Sequence, residues 1–426
     1  MSEQNIRLDL FDRVEQPVSK GLLGILSALA LIGAAAFIAM ISGDDPARGW
    51  QIFHVNFLVF TGFAIGAVVF TGAAFLSNAG WHGPLRRIAE GFVAFLPISY
   101  IFYWVIILFG REYIFPWIHL HDPLIEAKRG YLNVPFLAFR GGFGLLLLYV
   151  LAWAFVKTSL RPDLARIKDR LTGFRRSMAE RITAGWRDDE AEEAALIKKR
   201  SRLAPAFILT YVGVITILAF DLVMSLEPTW FSALFGAYFF MGAFLSGLAA
   251  TAIATVLLRR RYALEDIITK SQFHDLGKLM FGFSVFWAYL FWSQFLVVWY
   301  GNLPLEIQFI TVRKFPMWQN LSIVVFCCLF LIPFWGLLTR FAKMNPGTHL
   351  FFACVITFGF FIERFDLVVP SLNPTPDAFP FGLCDLLVTL GFFGLFTLSY
   401  IGFMRTFPIV PLVGLRKKAE HASGNA

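Results

Sequence analysis

The chain is poor in charged residues. Asp, Glu, Lys and Arg together make up 15% of its 426 residues, whereas about 25% is usual in a soluble domain. Hydrophobic residues make up 58% and include 50 phenylalanines and 12 tryptophans. This balance excludes an ordinary soluble domain and predicts an all-α, polytopic membrane protein. The net charge of +8 does not indicate a nucleic-acid partner, because the basic residues lie between hydrophobic runs.

Cysteine is also scarce, and all four cysteines lie within hydrophobic runs. They form no CxxC pair, no CxxCH haem-attachment motif and no iron–sulfur spacing. The sequence therefore predicts no covalently held redox cofactor in this chain. The four cysteines are Cys327, Cys328, Cys354 and Cys384.

Residues 1–20 are polar and do not resemble a cleavable signal peptide.

Ten hydrophobic runs are each long enough to cross about 30 Å of hydrocarbon at about 1.5 Å per residue. Of the 37 Lys and Arg residues, 29 fall on the side of the two termini and 6 on the opposite side. By the positive-inside rule, both termini are expected in the cytoplasm. The limits of the runs are 21–42, 50–77, 89–115, 131–157, 203–226, 231–258, 278–300, 318–341, 347–369 and 380–406.

One helix-end motif occurs twice. Residues 220–229 read FDLVMSLEPT and residues 365–375 read FDLVVPSLNPT, each at the end of a hydrophobic run. The repetition predicts two four-helix units in the same orientation, with flanking helices at either end of the chain. The predicted division is an N-terminal tail at 1–20, a flanking helix at 21–49, four-helix bundles at 50–230 and 231–379, a flanking helix at 380–406 and a tail at 407–426.

The repeated motif places an aspartate, Asp221 or Asp366, inside hydrophobic sequence. A carboxylate within a bilayer costs at least about 2 kcal/mol, so both are candidates for a proton path. The alternative is a hydrated carboxylate that caps a helix end. Arg140 in the fourth run is a further candidate, because a membrane arginine needs an anionic partner and Asp221 ends the next run.

Glu363, Arg364 and Asp366 crowd one turn of the ninth run. The two carboxylates are spaced i, i+3 and share a face, so they are expected to hold one proton between them. Arg364 is expected to point about 100° away from Glu363 and to neutralise a neighbouring helix. Asp385 in the last run is the candidate that extends this proton path. A closed ion-pair network that holds helices together is the alternative.

The candidate quinone-binding residues are His54, Arg111 and Glu112, near the outer ends of their runs. Histidine can relay protons or bond a quinone carbonyl; for His54 the alternative is a hydrogen-bonding anchor. The following sequence IHLHDP at 118–123 has no spacing specific for a metal, so no metal site is predicted.

Residues 158–202 form the longest connection. Leu164, Ile167, Leu171 and Phe174 recur at three- and four-residue spacing, which predicts a surface helix. Its basic face is expected to meet anionic lipid headgroups. A docking surface for a cytoplasmic partner is the alternative.

The run WHGPLRRIAEGFVAFLP at 81–97, together with the FDLV helix ends, resembles the polysulfide-reductase-type membrane subunits, the NrfD-like family. The match covers nearly the whole chain and is nearest to the F subunits of alternative complex III, a bacterial quinol:electron-acceptor oxidoreductase. The resemblance implies a bacterial inner-membrane complex that carries electrons from menaquinol. The implied partners are a second NrfD-like subunit, an iron–sulfur subunit, and multihaem and monohaem cytochrome c subunits. Menaquinone or structural lipid is the implied ligand.

The chain departs from the quinol-holding members of this family. In those relatives a histidine precedes the glycine–arginine pair that ends span three, and an aspartate lies in span four. Here Leu108 and Phe109 precede the Gly110–Arg111 pair, and Arg140 lies in span four. The departure favours a structural, proton-conducting subunit over a chain with its own quinol site. A secondary transporter is disfavoured, because no Gly/Pro-broken helix pair marks a substrate site.

The charge bias predicts that 158–202 is cytoplasmic and that 111–130 is outside. Single cysteines placed in each connection would be probed on intact cells with a reagent that does not cross membranes. We expect labelling of the 111–130 cysteine only. Labelling of the 158–202 cysteine would reverse the orientation.

Overall fold

In the computed structural model, residues 13–14, 17–187 and 190–411 are described, and within them all regular secondary structure is helical. Helices α3 and α11 are composite, and each includes one π-helical turn. The helices are α1 Lys20–Ile41, α2 Pro46–Leu76, α3 Gly80–Ile114, α4 Pro123–Ala127, α5 Val134–Ile167, α6 Gly173–Thr183, α7 Glu190–Leu222, α8 Phe235–Arg261, α9 Lys270–Gly301, α10 Pro304–Val312, α11 Pro316–Gly336, α12 Arg340–Met344, α13 Pro346–Leu372 and α14 Leu383–Thr406.

Nine helical segments in the described ranges are long and apolar enough to cross a membrane. They correspond to all the predicted runs except 347–369. That run is also helical, as the 27-residue α13, which at 1.5 Å per residue is about 40 Å long. It is the helix that carries Glu363, Arg364 and Asp366. The chain is thus a polytopic helical protein, as the composition predicts.

The 158–202 connection differs from the single surface helix predicted for it. Helix α5 continues through Leu164 to Ile167, and both of these side chains are buried. The chain then breaks, and α6 starts at Gly173, whose positive φ of 56° suits glycine. Phe174 is 70% exposed. The predicted spacing therefore spans two helices, because α5 and α7 continue into this connection well beyond the hydrophobic runs.

Helices α2 and α8 form the centre of the molecule, and residues 52–72 of α2 are all buried. Their backbones meet at two glycines. A methyl group on Gly66 would lie 2.0 Å from the Ala243 carbonyl oxygen, and one on Gly247 would lie 2.2 Å from the Ala67 nitrogen. Since real Cβ atoms never approach so closely, this crossing requires glycine on both helices.

The remaining helices surround this pair. Helix α7 packs against α2, α5 and α8, and α13 packs against α2, α8 and α11. The flanking helices α1 and α14 pack along each other, with Gly33 so close to Gly391 that neither position has room for a side chain. Helices α2, α7, α8 and α13 therefore pack together at the centre of the molecule.

The connections meet at two ends of the bundle. At one end, which we call the Asp221 end, Lys128 Nζ donates to the Pro228 carbonyl at 2.7 Å, and the Trp230 ring stacks on Phe309 at 3.9 Å. At the other, the insert end, Arg87 of α3 binds Asp163 of α5 at 2.5 Å. The predicted outer connections lie at the Asp221 end, and the 158–202 connection lies at the insert end.

The α2–α8 crossing predicts a marked difference between two glycine substitutions. Gly66→Ala should lower the free energy of unfolding by about 1–3 kcal/mol, because the added methyl group overpacks the contact. Gly213→Ala on α7 meets no heavy atom within 4 Å and should leave stability equal or slightly higher. The melting temperature of each purified variant, followed by tryptophan fluorescence, tests this. Equal melting temperatures would contradict the close crossing.

Candidate polar site in the membrane interior

Asp221 at the end of α7 forms a two-point ion pair with Arg140 of α5. Arg140 Nε donates to Asp221 Oδ2 at 2.7 Å, and its terminal nitrogen donates to Oδ1 at 2.6 Å. The Tyr131 hydroxyl donates to Oδ1 at 2.9 Å, and its ring lies 3.8 Å from the guanidinium. This confirms the predicted partner of Arg140. Bidentate pairing of this kind stabilises the charged form of both groups.

The end of α7 is held by further polar contacts. Ser225 Oγ donates to the Asp221 carbonyl at 2.5 Å, and His54 Nε2 on α2 donates to the Leu222 carbonyl at 2.7 Å. The His54 ring is fully buried. His54 therefore anchors the helix end, which corresponds to the alternative weighed for it.

Asp366 on α13, the second copy of the motif, also has an arginine beside it. Arg313 follows α10; its Nε lies 3.8 Å from Asp366 Oδ2, and its terminal nitrogen donates to the Asp366 carbonyl at 2.7 Å. Ser322 Oγ on α11 donates to Asp366 Oδ2 at 3.0 Å. Burial raises the pKa of the nearby Glu227 carboxyl, and the charge of Arg313 partly offsets that rise.

Sequence reasoning missed Arg313, because it lies in a connection and only charges inside the hydrophobic runs were considered. The signal available was the repeat itself. If Asp221 needs an arginine from the preceding part of its unit, then Asp366 needs one too.

Glu363 has partners different from those of Asp366. Arg364 lies 3.2 Å from Glu363 Oε2, and the Trp287 indole N–H donates to Oε1 at 3.2 Å. The Arg364 guanidinium is held 3.6 Å from the Phe239 ring and donates to the Phe239 carbonyl at 3.0 Å. The predicted 100° separation of Arg364 from Glu363 is therefore wrong, because the long side chain folds back while it also reaches α8.

A chain of hydroxyl groups leads towards this pair from the first half of the molecule. The Tyr149 hydroxyl on α5 lies 2.9 Å from Ser99 Oγ on α3, which lies 2.6 Å from Thr61 Oγ1 on α2. Thr61 and Arg364 line the same small cavity of about 20 Å³, enough for about one water molecule. The cavity is bounded by α2, α7, α8 and α13.

Asp385 does not extend this cluster. It lies at the start of α14, where its Oδ2 accepts from the Gly382 backbone N–H at 2.7 Å and pairs with Arg48 of α2. Asp385 thus caps a helix and ties α14 to α2. Asp385 was predicted to extend the proton path because it lies early in the last hydrophobic run. Helix α14, however, packs on α1 and α2 rather than along α13.

The predicted quinone-binding residues do not form one pocket. Arg111 and Glu112 bind each other at 3.1 Å on the surface, with side chains 38% and 46% exposed, whereas His54 is fully buried. His119 Nε2 lies 3.3 Å from Glu112 Oε2. Across residues 13–14, 17–187 and 190–411, no three His, Cys, Asp or Glu side chains are grouped to hold a metal.

A second buried ionic cluster lies at the insert end and was not predicted. Arg87 donates to Glu90 Oε2 at 2.8 Å and to Asp163 Oδ2 at 2.5 Å, and Ser159 Oγ donates to Glu90 Oε2 at 2.9 Å. Arg200 of α7 lies 3.6 Å from Glu90 Oε1. The cluster joins α3, α5 and α7. The i, i+3 spacing of Arg87 and Glu90 was its only sequence signal.

The buried Arg140–Asp221 pair should be worth far more than an exposed pair. Asp221→Asn leaves the Arg140 charge buried without a counterion, which should cost about 3–5 kcal/mol of unfolding free energy. The double variant R140Q/D221N should recover part of that loss. Glu126→Gln removes the exposed Arg129–Glu126 pair and should cost under about 1 kcal/mol. Equal losses in D221N and E126Q, measured by thermal unfolding, would refute a tightly coupled pair.

Comparison of the chain with protein-family models finds no match, and comparison with curated proteins also finds none.

Proposed function

We propose that this chain is a proton-conducting and structural membrane subunit of a bacterial quinol:electron-acceptor oxidoreductase, and that it does not itself oxidise quinol. The observation that carries the proposal is the small cavity between Thr61 and Arg364, which brings a hydroxyl chain close to Arg364, the ion-pair partner of the buried Glu363 carboxylate. Proton conduction needs groups that exchange protons within reach of one another or of water. A carboxylate, a cavity for one water and three hydroxyls meet that need.

Glu363 is the titrating group of the proposed path. Its arginine contact is longer than that of Asp221, at 3.2 Å against 2.6 Å, and its Oε1 accepts from the neutral Trp287 indole. Asp221 serves as a fixed, ion-paired helix end, whereas Asp366, whose Oδ2 lies 3.8 Å from Arg313 Nε, is held less tightly. Asp221 and Glu363 differ in role because their partners differ, since a carboxylate held at both oxygens by one arginine resists protonation.

The proposed architecture is a pair of parallel four-helix units that meet at the α2–α8 crossing. Two features support it. The FDLV motif lies at the end of α7 and, in its second copy, close to the end of α13. Each motif aspartate also has an arginine beside it that comes from an earlier segment of its own unit. In the proposed orientation both termini are cytoplasmic and the Asp221 end faces outwards.

The proposed complex carries the redox groups on other subunits. Electrons pass from menaquinol to an iron–sulfur subunit and to multihaem and monohaem cytochrome c subunits, and a second NrfD-like subunit holds the quinol. The resemblance of residues 81–97 supports this assignment. The separation of buried His54 from the exposed Arg111–Glu112 pair argues against a quinol site built from these three residues.

Glu363→Gln tests the titrating group directly. The amide keeps the volume and still accepts from Trp287, but it cannot exchange a proton. In the reconstituted complex, the number of protons moved per electron should fall by about half, with the second membrane subunit carrying the rest. Asp385→Asn is the matched control, since Asp385 is a buried carboxylate away from the path. An unchanged number of protons moved per electron in the E363Q variant would mean that the Glu363–Arg364 pair has a structural role only.

Thr61 provides an independent test of the hydroxyl chain. Thr61→Val keeps the side-chain shape and removes the hydroxyl that meets Ser99, so it should lower the proton-to-electron ratio. Thr61→Ser restores a hydroxyl and should restore the ratio. Equal ratios for the valine and serine variants, with normal assembly of both, would remove Thr61 from the path.

A further inference from the structure

A second and larger cavity, of about 360 Å³, lies at the Asp221 end of the bundle. Its volume falls in the range of ligand pockets. The connection between α4 and α5 forms one wall, and the end of α7 with the following residues forms the other. The lining includes Lys128, Tyr131, Phe220, Met224, Trp230 and Phe231.

The cavity contains an unneutralised positive charge. Lys128 Nζ donates to the neutral Pro228 carbonyl at 2.7 Å, and no ion pair of Lys128 occurs within the described part of the chain. The neighbouring charges are already paired, Arg140 with Asp221 and Arg129 with Glu126. An ammonium group has three donors, so two remain for a ligand.

The wall of the same cavity includes a tryptophan whose indole N–H has no acceptor among the residues described. Trp230 is 2% exposed, and its indole nitrogen is buried with no partner among the residues described. A buried tryptophan N–H normally finds an acceptor. The ring is fixed by stacking on Phe309 at 3.9 Å. The cavity thus offers one cation, Lys128, and one fixed aromatic wall, Trp230, to a guest.

An apolar surface continues from the cavity along α5. The Tyr131 ring lies 6.3 Å from Phe136, and Phe139 stacks on Phe143 at 5.8 Å. These three phenylalanines are 41%, 66% and 57% exposed and recur at three- and four-residue spacing, so they share one helix face. A guest with a polar head and a long apolar chain fits this continuation.

We propose that the cavity binds the headgroup of an anionic phospholipid, with its phosphate on Lys128, its glycerol region against the Trp230 wall and its acyl chains along the α5 phenylalanines. Charge-assisted bonds to phosphate are the strong kind. Lipid in this position lies against Tyr131, which holds the Arg140–Asp221 pair. Bound lipid therefore reinforces the end of α7.

The test counts lipids bound to the purified complex by native mass spectrometry. Phosphatidylglycerol is titrated against phosphatidylcholine with identical acyl chains, so only headgroup charge differs. Phosphatidylglycerol should bind more tightly. Lys128→Gln keeps a donor for Pro228 but removes the charge, and it should weaken phosphatidylglycerol binding about fivefold. Trp230→Phe keeps the stacked ring and should weaken it less.

Lys314→Gln is the matched control, because Lys314 is another lysine in a connection at the same end and lies outside the cavity lining. It should leave lipid binding unchanged. Equal affinity for the two lipids, or equal losses in K128Q and K314Q, would overturn the proposal. The proposal would also be overturned if soluble glycerol phosphate bound as tightly as the lipid. A third contradicting result would be a menaquinone that displaces the lipid and binds the K128Q variant with the same affinity as the wild type. Lipid binding is read independently of proton translocation, so the two proposals fail separately.

Discussion

The dominant constraint on this fold is the cost of placing carboxylates inside an apolar helix bundle. A charged group in low dielectric is tolerated only when a counterion and hydrogen bonds replace the water it loses. Here arginine performs that role for Asp221, Asp366 and Glu363, and aromatic rings cover the guanidinium faces. The Arg140–Asp221 pair joins two helices, and Arg313 joins the segment after α10 to α13, so these contacts also fix how the helices pack. Glu363 and Arg364 are consecutive on α13, and Arg364 reaches α8 through the Phe239 carbonyl.

Close packing at the centre makes that arrangement workable. The glycine contacts between α2 and α8 bring two backbones together, and α7 and α13 pack against both of these helices. The resulting space between Thr61 and Arg364 is only about 20 Å³. A wider interior would admit more water and weaken each ion pair, whereas a completely filled one would separate the hydroxyl chain from Arg364. The proposed division into a fixed Arg140–Asp221 pair and one titrating glutamate depends on this intermediate packing.

Sequence reasoning located the helices and one ion pair well, because hydrophobic length and a lone membrane arginine are strong signals. Arg140 and Asp221 were paired correctly, since they lie in consecutive hydrophobic runs. Arg313 was missed because it lies outside the runs. The Arg87–Glu90 cluster was missed because only Glu90 lies within a run, and only the folded chain shows that α3 and α5 extend past the run limits and bring Arg87 and Asp163 beside each other. The predicted direction of the Arg364 side chain was wrong. The helical angle fixes the direction of the Cα–Cβ bond, but it does not fix where the guanidinium at the end of a long, flexible side chain lies. Asp385 was misplaced because sequence spacing does not determine which helix faces which.

In the proposed function, Glu363 changes protonation during turnover while Asp221 stays charged. Infrared difference spectra of the proposed complex, reconstituted and recorded between its oxidised and reduced states, test this most directly. The account predicts a protonated-carboxyl band that shifts in heavy water, disappears in the Glu363→Gln variant and persists in Asp221→Asn. A spectrum in which that band is absent, or is the same in wild type and the Glu363→Gln variant, would contradict it.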